Sequence, residues 1–75
     1  MSCSKSQVHQ AVASWAGVLN VNENTALNGL GGKQWPQDAP PLIETINGLC
    51  GCSIPPEDYQ LFTHVADIDE WVGAK

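Results

Sequence analysis

Ile54-Pro55-Pro56-Glu57-Asp58-Tyr59-Gln60-Leu61-Phe62-Thr63-His64-Val65-Ala66-Asp67-Ile68-Asp69-Glu70-Trp71-Val72 is the stretch whose reading decides the fold. Ile54 precedes a proline, which pushes it to an extended conformation. Pro56, Glu57 and Asp58 suit the first turn of a short helix running to about Phe62, because a proline there gives up no hydrogen bond. Thr63 is then a candidate cap for a last helix. Val65, Ile68, Trp71 and Val72 repeat on one face of that helix, which makes Trp71 a core candidate. Asp67, Asp69 and Glu70 lie early in it, where the helix dipole favours negative charge. They read as a solvated helix start.

Upstream, Asp38 is a good N-cap residue, and Pro40 and Pro41 fit the first turn of a second helix. Leu42, Ile43, Ile46, Leu49 and Cys50 form its wide apolar stripe. Gly48 and Gly51 end it, with Gly51 placed for a left-handed C-cap. Residues 20–37 read as a long loop of Asn and Gly closed by Pro36. A loop of that length packs or works. Leu27 and Leu30 are its candidate pins, and Asn24-Thr25 is a candidate single helical turn. The first segment runs from Ser4 to Leu19. Val8, Val12, Trp15 and Leu19 share one helical face, Ala11, Ala13 and Ala16 add propensity, and Ser4 or Ser6 caps the start. Trp15 is a second core candidate, and His9 falls on the opposite, solvated face. The sum is an all-α domain over residues 1–75, with three main helices and one short one.

Composition narrows the function. Three Lys and no Arg stand against eight acidic residues, a net charge of −5. Nucleic-acid binding needs clustered cations to neutralise phosphates, so it is excluded, and anionic lipid is disfavoured. No apolar run reaches the length of a membrane span or signal-peptide core, so a cytoplasmic protein is expected. Three cysteines are an odd number, which argues against a disulfide framework. Cys50-Gly51-Cys52 is too close to bridge without strain. Cys50 reads as a small buried residue and Cys52 as a loop residue, with no metal expected. Gly29, Gly31 and Gly32 lack the strand and Lys-Ser/Thr pair of a phosphate loop. His64 has only Cys50 or Cys52 as a conceivable nucleophilic partner, so no catalytic residue is expected.

The order of elements resembles the acyl carrier protein family. Ile54-Pro55 before the short helix and Thr63-His64-Val65 before the last one look like that family's closing stretch. Leu27 and Leu30-Gly31-Gly32 resemble its leucine and Leu-Gly pair, and Leu42-Ile43-Glu44-Thr45-Ile46 its second-helix stripe. The resemblance implies a carrier-type four-helix bundle with a long loop between helices 1 and 2. It also implies an Asp-Ser-Leu motif at the start of the second helix, whose serine carries phosphopantetheine. Here the motif is broken. Aligned forward from Leu30-Gly31-Gly32, Gln34 takes the serine's place; aligned backward from Leu42-Ile43, Pro36 does. No Ser or Thr occurs from Ala26 to Glu44, so either alignment removes the hydroxyl and the cofactor with it.

The expectation is a non-catalytic docking partner of a synthase or other enzyme in a fatty-acid, polyketide or peptide assembly pathway. Gln34, Trp35, Pro36, Gln37 and Asp38 would form the contact surface, with Leu42 and Ile43 at its edge. Trp is enriched at interface hot spots; alternatively, Trp35 folds back and closes the core. The rival expectations are a genuine carrier modified elsewhere, such as at Ser53, and a bundle that binds an apolar molecule non-covalently. A thiol or metal protein built on Cys50 and Cys52 is a third.

Overall fold

A computed structural model describes residues 3–75. It contains three α-helices: α1 (Lys5–Ala16), α2 (Ala39–Cys50) and α3 (Val65–Val72). A six-residue 3₁₀ helix (Pro56–Leu61) precedes α3, and a single 3₁₀ turn (Leu30–Gly32) interrupts the first connection. Among the described residues there is no strand, only an isolated bridge between Ala26 and His64. The all-α expectation with three main helices and one short one therefore holds.

α1 starts at a capping box. The Ser4 hydroxyl accepts the Gln7 N–H at 3.1 Å, and the Gln7 side chain accepts the Ser4 N–H at 3.0 Å. It stops at Gly17, left-handed with φ 71°. Because the helix ends there, Leu19 leaves the helical register and is 95% exposed, not on the core face. Val8, Val12 and the small Ala11, Ala13 and Ala16 are buried. The alanines let α1 approach both α2 and α3.

α2 begins as the two prolines require, and Gly51 (φ 64°) ends it. Gly48 lies inside the helix. Ala39, Leu42, Ile43, Ile46 and Cys50 are buried, whereas Leu49 sits at the edge of the stripe and is substantially exposed. α3 buries Val65 and Ile68. Trp71 does not join the core; it is 39% exposed, with its indole N–H on Asp58 Oδ2 at 3.3 Å. The cap of α3 also differs from expectation. His64, not Thr63, is at the N-cap position. Asp67 Oδ2 reaches back to accept the Thr63 N–H at 2.8 Å, the Thr63 hydroxyl at 2.9 Å and the His64 N–H at 3.0 Å.

The long connection is tied down at both ends. Leu27 is fully buried, and Leu30 and Val21 pack against the core from its edge. Backbone bonds Leu27 N to Thr63 O, Val65 N to Thr25 O and Ala66 N to Glu23 O stitch residues 23–27 to the start of α3. Asn24 and Thr25 lie in this stitched strap, and the helical turn falls later, at Leu30–Gly32. Gly31 there has φ 59°, and a Cβ on it would collide with the Ala16 carbonyl. Only glycine lets the loop cross the end of α1.

The cysteines correct the sequence reading most directly. Cys3 and Cys50 form a disulfide across a sequence separation of 47, and only Cys52 is free. An odd count excludes complete pairing, not pairing. The partner of Cys50 comes from the far end of the chain, where local spacing carries no signal. Lys75 N–H donates to Cys3 O at 3.2 Å, so the end of the chain lies beside the bridge.

Candidate docking surface

The segment before α2 is a closed turn held at every level. Asp38 Oδ2 accepts the Gln34 N–H at 2.8 Å, and the Asp38 N–H donates to Gln34 O at 2.8 Å. The carboxylate therefore caps the turn and not the helix. Asn28 Oδ1 accepts the Trp35 N–H at 3.0 Å, tying the turn to the long connection. The Trp35–Pro36 peptide bond is cis. Gln34, Pro36, Gln37 and Asp38 are exposed.

Two indoles fix this turn to the body. Trp15 of α1 donates its indole N–H to Asp38 O at 2.9 Å. Trp35 donates its own to Tyr59 O at 2.6 Å. The rings meet edge to face with centroids 5.8 Å apart, and Trp35 also lies 6.4 Å from Phe62. That geometry suits the aromatic quadrupole. Trp35 is half-buried and faces inward, as the alternative reading had it. Leu42 and Ile43, expected at the edge of the surface, are 1% and 0% exposed. They face α1 because the apolar stripe of α2 is its core face, so neither is available to a partner. Of the seven expected contact residues, the structure brings Gln34, Pro36, Gln37 and Asp38 together at the surface.

The turn opens onto a groove of about 480 Å³ between α1 and α2. Gln7, Gln10 and Ser14 form one wall, Pro41, Thr45 and Leu49 the other, and Trp15 closes the end nearest Asp38. No lining residue is charged. The Thr45 hydroxyl donates to Pro41 O at 3.1 Å, and Gln7 and Gln10 make the α1 wall amide-rich.

Other candidates are dispersed. His9 is not solvated: its Nε2 lies 2.7 Å from Oδ2 of Asp69, which is 3% exposed. The pair bolts α1 to α3, and Asp69 Oδ1 has no partner. No local pattern announces it, since the residues are 60 apart. The Thr63 hydroxyl donates to Asp67 Oδ2 at 2.9 Å, and its Oγ1 also lies 2.9 Å from His64 Nδ1. The Thr63 N–H, then the His64 N–H, hold the Asp67 carboxyl below the ordinary Asp range. Burial pushes the Cys52 thiol up. Its Sγ lies 3.4 Å from Asn47 Oδ1. Among the described residues no group of three His, Cys, Asp or Glu could hold a metal. Among the described residues no helix is long and apolar enough to cross a membrane.

No family model, curated protein or solved structure matches the chain.

Proposed function

We propose that this chain is a carrier-protein-like docking module without a prosthetic group, a non-catalytic protein partner in a fatty-acid, polyketide or peptide assembly pathway. One observation carries the reading. The exposed turn before α2, where the resemblance calls for a phosphopantetheine serine, offers Gln34 and Pro36 and no hydroxyl. An amide or a pyrrolidine cannot form the phosphodiester. The turn is nonetheless held by the side chains or backbone of Asn28, Asp38, Tyr59 and Trp15. A surface fixed in advance loses little entropy on association. The neutral groove beside it supports an uncharged, partly apolar contact in place of the acidic helix that carriers typically present.

The Cys3–Cys50 bond supports an oxidising compartment, where disulfides persist, over the cytoplasm first expected. A photo-crosslinking side chain at Gln37, compared with one at Ser53, tests the surface in the native host. The reading requires one crosslinked protein from Gln37 that is absent from Ser53. Equal or absent crosslinking from both positions contradicts it.

A further inference from the structure

A second surface lies where the second 3₁₀ helix meets α3. Leu61 is 67% exposed and Trp71 is 39% exposed. Side chains three apart on a 3₁₀ helix eclipse one another, so Asp58 and Leu61 share a face. The Trp71 indole N–H rests on Asp58 Oδ2. That bond holds the ring at the Asp58 side chain, on the face that Leu61 shares, so two exposed apolar side chains from different elements lie on one side of the molecule.

The two elements that carry these side chains hold charge of one sign. Five of the eight acidic residues fall between Glu57 and Glu70. Two are used internally: Asp67 caps α3, and Asp69 is buried on His9. Glu57 and Glu70 are exposed and Asp58 half-buried, and among the described residues none of the three has an ion-pair partner. Neither helix carries a Lys. Lys5 is paired with Glu23 at 3.8 Å, and Lys33 lies in the first connection.

We propose that Leu61 and Trp71 anchor a basic amphipathic protein segment, whose apolar stripe covers them and whose Lys or Arg side chains meet Glu57, Asp58 and Glu70. Charge complementarity selects this occupant. An anionic membrane is repelled by the same carboxylates, and a second copy of this chain, at −5, brings too few cations. Trp is a frequent anchor of such contacts, and flanking charge sets orientation and encounter rate. The site shares no proposed contact residue with the α2 entrance, although Trp35 of that turn donates to Tyr59 O of the same 3₁₀ helix, so each proposal has its own variants and its own test.

The test uses the whole disulfide-bonded chain and a helix-forming Leu/Lys peptide of about 14 residues with one apolar stripe. Controls replace every Lys by Glu, or every Leu by Ser. Amide NMR shifts locate binding, and calorimetry measures it. The Leu/Lys peptide is expected to shift residues of the second 3₁₀ helix and α3. Its Kd should rise at least tenfold for Leu61→Ser and for Trp71→Ala, and several-fold between about 50 and 300 mM salt. Leu61 is exposed, so its variant keeps the test valid if loss of Trp71 disturbs the fold. Four results overturn the proposal: no binding, equal binding of either control peptide, shifts centred on the α1–α2 groove, or undiminished binding by Leu61→Ser. Leu61-dependent binding to phosphatidylcholine–phosphatidylglycerol vesicles in place of the peptide overturns it too.

Discussion

Trp35→Ala separates a structural tryptophan from a contact residue. Truncating a well-packed Trp costs about 3–5 kcal/mol, and half-burial brings the packing share nearer ~2 kcal/mol. The edge-to-face contact with Trp15 and the tilted contact with Phe62 add about 1 kcal/mol together. Losing the indole bond to Tyr59 O costs about 1 kcal/mol more. The sum is about 4 kcal/mol, against roughly 4–11 kcal/mol for a domain of this length. With a urea slope of about 1 kcal/mol per M, the midpoint should fall by several M, or the domain should be unfolded already. Trp35→Phe keeps most of the ring contacts and drops the hydrogen bond, so its loss should be about 1–2 kcal/mol. Urea titration followed by far-UV circular dichroism measures both. A Trp35→Ala midpoint unchanged within error, or equal losses for the Ala and Phe variants, would refute the inward placement of the ring.

Three further outcomes follow from the contacts. His9→Ala leaves a buried Asp69 carboxylate with neither oxygen partnered, so it should cost about 3 kcal/mol. Adding Asp69→Ala should recover part of that loss in the same urea assay, and additive losses would contradict the pairing. Closing a loop across 47 positions stabilises by about 4 kcal/mol in the chain-entropy picture. Cys3→Ser/Cys50→Ser should lose up to that amount, while Cys52→Ser should melt within a few degrees of the parent. Asp67 has a lowered folded-state carboxyl, so its stabilisation is present above the ordinary Asp range and is lost as pH falls through the folded value. Between about pH 5 and 2, the parent should therefore lose stability more steeply than Asp67→Asn. Parallel pH curves would contradict the cap.

The sequence was most readable where structure is local. Pro40 and Pro41 mark the start of α2, Gly51 its end, and Pro56 the short helix, because each acts through its own backbone. Register carried Val8, Val12, Ile43, Ile46, Val65 and Ile68 into the core. It failed for Leu19, Leu49 and Trp71. Gly17 ends α1 before Leu19, and the Asp58 carboxylate draws the Trp71 indole out over the second 3₁₀ helix. The candidate surface was half legible. Gln34, Pro36, Gln37 and Asp38 are exposed as their polarity and ring chemistry suggest, while the apolar Leu42 and Ile43 face the core. Trp15 to Asp38, His9 to Asp69 and Cys3 to Cys50 were not legible. Each joins residues at least 23 positions apart, and only the packed fold brings them together.

The acidity changes meaning with the structure. The −5 is not a uniform coat. Asp67 and Asp69 are used internally in α3, Asp38 holds the turn before α2, Glu23 pairs with Lys5, Glu57, Asp58 and Glu70 lie in the second 3₁₀ helix and α3, and no acidic residue lines the α1–α2 groove. The two surfaces therefore suit chemically different contacts.

The proposed module has a carrier-like fold and nothing to carry. Intact-mass measurement after incubation with a phosphopantetheinyl transferase and coenzyme A tests it most directly, with a functional carrier protein as positive control. An unchanged mass is expected for this chain under conditions that fully load the control. A gain of one phosphopantetheine, at Ser53 or any other hydroxyl, would contradict it.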